Sequence, residues 1–184
     1  MKKLMMFLVV ASITVISQAA SIKWSASNIY NGNTTDKING GAAYLFVDDG
    51  SITADSVAAF LGNSSKTLAE KQTYLGNSLA NTTTSSGAIN YTTDVSLSDG
   101  SYDFFMVVFD SNPVTDSSKF LVSATKEGIA ITSVGTASVS IGSQKTLSQN
   151  PANFASVGGG VPEPTSALLL LVGGALLSLR RKRA

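Results

Sequence analysis

Apolar and polar residues alternate through much of the middle of the chain, and this period of two predicts β-strands. The alternation is clearest over residues 22–26, 89–97 and 137–141. Residues 42–47 form a short run that is apolar on both faces, and so do residues 102–109 apart from one aspartate. Such runs are typical of strands that are covered on both sides. We therefore expect residues 102–109 to form the central strand.

Turn residues next to these segments predict two β-hairpins. Asp99-Gly100 directly precedes the central strand and would join it to the strand before it. A second glycine-containing turn at residues 126–128 would join a strand at 120–124 to one at 129–134. Both hairpins would pair strands that are neighbours in the sequence.

The stretch at residues 53–80 breaks the alternation, because its apolar residues recur at helical spacing. Thr67 and Glu70 match the capping box that begins many helices. Gly62 and Gly76 are suitable helix ends. We predict two short helices inserted between strands.

Seven or eight short strands in about 120 residues are typical of a β-sandwich. We expect residues 20–141 to form one mainly-β, sandwich-like domain that carries the helical insertion at about 53–80. Residues 142–160 end in three glycines, and we predict that they form a flexible linker. The expected core consists of Trp24, Tyr44, Phe46, Phe104, Phe105, Val107 and Phe109.

Residues 1–19 have the three parts of a secretory signal peptide. Two lysines follow the first methionine, and a mostly apolar stretch runs over residues 4–16. Small residues, Ser17 and Ala19, then stand three before and one before a cut between Ala19 and Ala20. We predict cleavage there by signal peptidase, and hence export. The alternative is an N-terminal membrane anchor that is retained.

Residues 161–184 contain three further parts in a fixed order. These are the motif Pro162-Glu163-Pro164, an apolar segment at 166–179, and the basic cluster Arg180, Arg181, Lys182 and Arg183. As a helix the apolar segment would span about 21 Å, which is shorter than the ~30 Å hydrocarbon core of a bilayer. We therefore predict a transmembrane helix that is barely long enough to cross the membrane. The two prolines favour an extended backbone at Glu163. Basic clusters stay on the cytoplasmic side, so the middle of the chain would lie outside.

This order of motif, apolar helix and basic cluster resembles the PEP-CTERM sorting signal of Gram-negative bacteria that make exopolysaccharide. The resemblance is confined to about the last 24 residues. It implies recognition by an exosortase, an integral-membrane, transpeptidase-like cysteine enzyme that cuts near the motif and releases or transfers the protein. Pro162, Glu163 and Pro164 would then be part of a substrate and not of a catalytic site. The alternative is an ordinary tail anchor that follows a proline-rich linker.

Composition excludes several classes of function. The chain has no Cys and no His, so it has no disulfide, no thiol nucleophile, no imidazole base and no zinc site of the usual ligands. Between residues 20 and 161 it has seven Lys, no Arg and eleven acidic residues, a net charge of −4. A surface with this charge does not favour nucleic acid.

The acidic and aromatic residues leave three weaker possibilities open. Asp48 and Asp49 could supply oxygen ligands to calcium, although acidic turns after strands are common. Asp94, Asp99 and Asp103 could supply the two carboxylates of a glycosidase. An exposed row of aromatic side chains could stack on sugars. The candidates for that row are Trp24, Tyr30, Tyr44, Tyr74, Tyr91 and Tyr102.

Together these patterns predict an exported, non-catalytic protein without a cofactor. We expect an intermediate in the inner membrane, held by the C-terminal helix, and then a product in the cell envelope, at the surface or in the extracellular matrix. Signal peptidase and exosortase would be its processing partners. The alternative is a small carbohydrate-binding module that contacts exopolysaccharide.

Overall fold

The computed structural model describes residues 20–158 of the chain. The predicted signal peptide at 1–19 and the predicted sorting signal at 161–184 lie outside these residues. The described part is mainly β, with two sheets and few helices. This confirms the predicted mainly-β class. None of its helices has the length and apolar character needed to cross a bilayer.

The smaller sheet has three strands: β1 (Ala20–Ser27), β4 (Ile89–Val95) and β8 (Thr136–Ser143). β1 lies in the middle, antiparallel to β4 and parallel to β8. The alternation in the sequence predicted all three. In β1 the alternation in sequence corresponds to alternating burial. Every second side chain is buried, namely Ala20, Ile22, Trp24 and Ala26.

The larger sheet has six strands. They are β2 (Ala42–Asp48), β3 (Ala80–Thr83), β5 (Gly100–Phe109), β6 (Lys119–Val122), β7 (Lys126–Ile131) and β9 (Ala155–Ser156). β5 is central, as the sequence predicts. β2 pairs with one edge of β5, while β6 and β7 pair one after the other with its opposite edge. β3 then pairs with β2, and β9 with β6.

Both predicted hairpins are wrong. β4 and β5 follow each other in sequence but belong to different sheets, because β4 pairs with β1 and β5 pairs with β2. β6 and β7 do not pair with each other, since both run antiparallel to β5. The glycine at the second predicted turn, Gly128, lies inside β7 with a positive φ of 70°. The pairing register shifts beside it, so this glycine marks an irregularity in a strand and not a hairpin turn.

The helical insertion is present as predicted. α1 (Ala54–Leu61) begins after Thr53, whose side chain accepts a hydrogen bond from the Ser56 backbone N–H. α2 (Leu68–Leu75) begins after Thr67, and the predicted capping box with Glu70 is formed. The C-caps are the predicted glycines.

Buried side chains form two clusters, one on each face of the larger sheet. Alternate β5 residues Phe104, Met106 and Val108 belong to a cluster that also contains Trp24 and other residues of the smaller sheet. The residues between them, Phe105, Val107 and Phe109, belong to a second cluster with α1 and α2. β5 is apolar on both faces because the smaller sheet covers one face and the helices cover the other. Of the predicted core residues, all are buried except Tyr44, which is half-buried.

The prediction of a flexible linker at 142–160 is wrong for residues 142–158, the part of this segment that the structure describes. This segment contains the end of β8, a short helix α3 (Lys145–Ser148), a 3-10 turn (Pro151–Asn153) and β9. Ser148 is fully buried, and its hydroxyl accepts a hydrogen bond from the Tyr30 backbone N–H at 2.9 Å. The segment is ordered because it satisfies backbone groups of the body and adds an edge strand to the larger sheet.

Candidate functional site

A groove of about 730 Å3 lies where five chain segments meet. Its walls are the end of β2, the start of α1, the connection from β6 to β7, the end of β8, and α3. The lining residues are Asp48, Thr53, Ala54, Asp55, Val122, Ser123, Ala124, Thr125, Ile141, Ser143, Gln144, Thr146 and Leu147. Grooves of this size are typical of sites for small ligands.

The polar groups of the groove are mainly hydrogen-bond acceptors and hydroxyls. Asp48 uses Oδ1 to accept a hydrogen bond from the Gly50 backbone N–H at 3.2 Å. Asp55 lies in the first turn of α1, where the partial positive charge at the start of a helix favours a carboxylate. Gln144 is only 7% exposed, and its Nε2 donates to the Ile141 carbonyl at 3.0 Å. Of the lining residues in the described part, none is basic or aromatic. The groove therefore disfavours an anionic ligand and offers hydrogen-bond acceptors to a ligand that donates, such as one rich in hydroxyl groups.

The candidate calcium ligands have structural roles in the turn after β2. Asp49 Oδ1 accepts hydrogen bonds from Ile52 N at 2.7 Å, Ser51 Oγ at 2.7 Å and Ser51 N at 2.9 Å. The bond from the Ile52 backbone, followed by the bonds from Ser51, lowers the pKa of Asp49 below its ordinary value. Within residues 20–158 there is no group of three or more acidic side chains placed to hold a metal ion. The turn leads directly into α1, so these hydrogen bonds position one wall of the groove.

Two of the three candidate glycosidase carboxylates bind backbone amides. Asp99 Oδ1 accepts from Ser133 N at 2.5 Å, and Asp103 Oδ1 accepts from Gly128 N at 2.7 Å. Asp103 lies opposite Asp48 in the β2–β5 register, whereas Asp94 lies in the other sheet, opposite Ser21. Asp94 therefore lies in a different sheet from Asp103. None of the three candidate carboxylates lines the groove.

The candidate aromatic residues do not form an exposed row in the described part. Trp24 is fully buried, and Tyr91, at 39%, is the only one of the six that is largely exposed. Tyr44 is half-buried, and its burial raises the pKa of the phenol above the ordinary value of 10.0. Tyr74 stacks on Phe60 with ring centroids 4.2 Å apart. These residues therefore do not form a sugar-stacking platform in the described part of the chain.

The structure describes only one residue of the predicted processing sites. Ala20 is the first residue of β1, is 1% exposed, and pairs with Val95. Ala19 lies outside the described residues. The sorting motif Pro162-Glu163-Pro164 and the basic residues Arg180, Arg181, Lys182 and Arg183 lie outside them as well.

The C-terminal end of the described body is fixed by a contact that the sequence pattern did not predict. Lys71 in α2 is 1% exposed, and its Nζ donates a hydrogen bond to the backbone carbonyl of Val157. Val157 is fully buried, and its own N–H donates to the Ser118 carbonyl at 2.9 Å. The next residue, Gly158, donates its N–H to the Asp116 carbonyl at 2.8 Å. The one signal for this contact is a lysine on the apolar face of a short helix, four residues before the buried Leu75.

Part of the groove also went unpredicted, because four of its thirteen lining residues fall in the segment predicted to be a linker, namely Ser143, Gln144, Thr146 and Leu147. Comparisons of this chain with protein-family models, with curated proteins and with solved structures found no match.

Proposed function

We propose that this chain is an exported, non-catalytic protein of the cell surface or extracellular matrix, processed at both ends. The sequence pattern that carries the proposal is the order of Pro162-Glu163-Pro164, apolar segment and basic cluster at the C-terminal end. Its resemblance to a PEP-CTERM signal makes an exosortase the processing enzyme and the apolar segment a temporary membrane helix. In the proposed cut a peptide bond near the motif breaks. The acyl group passes to water or to an acceptor nucleophile, and the released amine takes up the proton.

The folded body that the structure describes lies between the two proposed cuts. A cut between Ala19 and Ala20 keeps Ala20, which pairs with Val95, whereas a cut one residue later removes it. At the other end, the described backbone contacts of Val157 and Gly158 lie before the motif. A mature chain from Ala20 to the motif would therefore keep both sheets and their cores. The proposed mature domain is a sandwich-like fold between a signal helix and a transmembrane helix that are both removed.

Intact-mass spectrometry of protein from cells and from medium tests the proposal. We expect a chain that starts at Ala20 and ends near residues 162–164. A matched variant, Glu163→Ala, should accumulate with its C-terminal segment attached, while Glu127→Ala on an exposed strand should be processed normally. Recovery of native chains that end at Ala184 in the mature product would refute the sorting step.

A carbohydrate-binding module remains the second candidate, and the groove is the observation that favours it. Asp48, Asp55 and Gln144 offer acceptors, and nearby Thr and Ser hydroxyls can both donate and accept. Isothermal titration with neutral glucose hexasaccharides and with an acidic oligogalacturonide tests this function. We expect the neutral sugars to bind and Asp55→Asn to weaken them about tenfold, the effect of one hydrogen bond to a charged acceptor. Asp94→Asn, outside the groove, should change nothing. If no neutral sugar binds, this second function is wrong.

A further inference from the structure

The groove carries negative charge along the wall formed by the end of β2 and the start of α1. Asp48 at the end of β2 is half-buried, and Asp55 in the first turn of α1 is exposed. Neither carboxylate belongs to an ion pair, since the one salt bridge among residues 20–158 joins Lys66 to Glu70. Both therefore offer charge to a ligand in the groove.

The surroundings of this wall do not neutralise it. Asp103 lies opposite Asp48 in the β2–β5 register, and Asp49 follows Asp48 in the chain. Two lysines, Lys126 and Lys145, are sequence neighbours of lining residues, but both are exposed and neither lines the groove. With the carboxylate on α1, four negative groups stand against these two positive ones, and the start of α1 adds only about half a positive charge. The local charge balance is therefore negative.

Gln144 supplies an independent sign that the groove takes a ligand that donates hydrogen bonds. It lines the groove although it is only 7% exposed. Its Nε2 donates to the Ile141 carbonyl, whereas its Oε1 has no hydrogen-bond partner among residues 20–158. This oxygen is not enclosed, because the one fully enclosed side-chain polar atom without a partner in that part of the chain is Trp24 Nε1. The small accessible surface of Gln144 therefore includes an oxygen that can accept from a ligand.

The rest of the lining mixes hydroxyl groups with apolar surface. Thr125 and Thr146 contribute hydroxyls, while Val122, Ile141 and Leu147 contribute apolar side chains. A sugar ring has hydroxyls at its edge and C–H groups on its faces, so it can contact both kinds of surface. An amino group on such a ring adds a positive charge and three N–H donors, which are what the two carboxylates and the free amide oxygen can bind.

We propose that the groove binds a glycan with free amino groups, whose protonated amines contact Asp48 and Asp55. This inference rests on the second function proposed above, because it uses the same groove, and it adds the charge class of the ligand. A hydrogen bond from an ammonium to a carboxylate is about twice as strong as one between neutral groups. The amine therefore sets the preference among sugars, and neutral sugars bind the same groove more weakly.

Isothermal titration of the protein recovered from the exporting host tests the proposal near pH 6. The three ligands are hexasaccharides of the same linkage, built of glucosamine, of N-acetylglucosamine or of glucose. They differ in one substituent per sugar, and an amine of this kind keeps its proton near pH 6. We expect the glucosamine sugar to bind at least about tenfold more tightly than the other two. This ratio should fall as the salt concentration rises from about 0.05 M to about 1 M.

A double variant tests which groups recognise the amine. Asp48→Asn combined with Asp55→Asn keeps the shape of both side chains and removes both charges, so it should bind the three sugars with similar affinities. Asp94→Asn removes an exposed carboxylate outside the groove and should keep the native preference. Fluorescence of Trp24, the single tryptophan, shows whether both proteins stay folded.

Equal binding of the three sugars by the native protein would overturn this inference and leave the carbohydrate-binding function in place. A preference that the double variant retains would also overturn it, because the attraction would then come from charges elsewhere on the body. A hexalysine peptide that binds as tightly as the glucosamine sugar, and depends on the same two aspartates, would overturn the assignment of a glycan. If none of the three sugars binds, the carbohydrate-binding function and this inference both fail, whereas the sorting function is tested separately by the masses of the native chain.

Discussion

Lys71 and Val157 lie 86 residues apart in the sequence and meet inside the protein, where the lysine Nζ donates to the valine carbonyl. Both residues are at most 1% exposed. A buried lysine needs a hydrogen-bond acceptor, because an unpaired ammonium in the interior is costly. This contact therefore couples helix α2 to the residue that follows β9.

Removing the lysine side chain should destabilise the body. Lys71→Ala is expected to lower the free energy of unfolding by about 2–4 kcal/mol, since it leaves a cavity and an unpaired carbonyl. Lys71→Met keeps most of the volume and removes the buried amine, so its cost should be less than half as large. Urea denaturation of the exported protein, followed by Trp24 fluorescence, measures both values. Equal costs for the two variants would contradict this account of the contact.

The N-cap of α1 offers a second test. Thr53 accepts a hydrogen bond from Ser56 N at 3.1 Å, and Ser56 Oγ accepts one from Thr53 N at 2.8 Å. Thr53→Ala should cost about 1 kcal/mol, the usual effect of losing a cap. Ser64→Ala changes an exposed side chain in the loop between the helices and should have almost no effect. Thermal unfolding of the two variants distinguishes them, and an unchanged midpoint for Thr53→Ala would show that the cap is not needed.

The positions of most strands could be predicted, but their partners could not. Local alternation located β1, β4 and β8 because a half-buried strand shows its inner face directly in the sequence. Pairing is a long-range property. A turn such as Asp99-Gly100 serves equally well to pair two strands or to pass the chain from one sheet to the other. Here it passes the chain between sheets.

The segment after β8 shows a different limit of the sequence. α3 has four residues and β9 has two, which is too short for either period to be visible. The apolar residues Leu147, Phe154 and Val157 are the only local signs that this segment packs on the body. Gln144 was overlooked as a groove residue for the same reason. By contrast, the acidic turn at Asp48 was a candidate site in the sequence. In the structure Asp48 accepts a hydrogen bond from Gly50 N within the turn.

Gly41, the residue just before β2, is so closely packed that replacing it even with alanine should strongly destabilise the fold. A Cβ added at Gly41 would collide with the backbone of Phe109 and with the side chain of Ile38. The Gly41 N–H also donates to Thr84 Oγ1 at 3.0 Å, so the backbone is not free to move away. Gly41→Ala should therefore cost at least about 2 kcal/mol. Ser140→Ala on the exposed face of β8 is the control, and a similar midpoint for both in urea would contradict the prediction.

Glu70 should make stability depend on pH in the acidic range. Its pKa is lowered from 4.5 to about 2, first by the hydrogen bond from the Thr67 backbone N–H, then by those from the Lys66 ammonium and the Thr67 hydroxyl. The backbone bond is 2.8 Å long, and the distance to Lys66 Nζ is 3.0 Å. Because the pKa is lower in the folded state, the carboxylate contributes stability above about pH 4.5, and that contribution is lost as the pH falls towards 2.

Comparison of the native protein with Glu70→Gln tests this dependence. The native protein should unfold at a higher temperature near pH 6, and the difference should shrink steadily between about pH 4.5 and pH 2. The capping box explains the direction, since glutamine can still accept from Thr67 N but brings no charge to Lys66 or to the start of α2. Glu127→Gln, at an exposed position in β7, controls for the loss of one negative charge. NMR titration of the Glu70 carboxyl gives the pKa directly, and a value near 4.5 would contradict the capping argument.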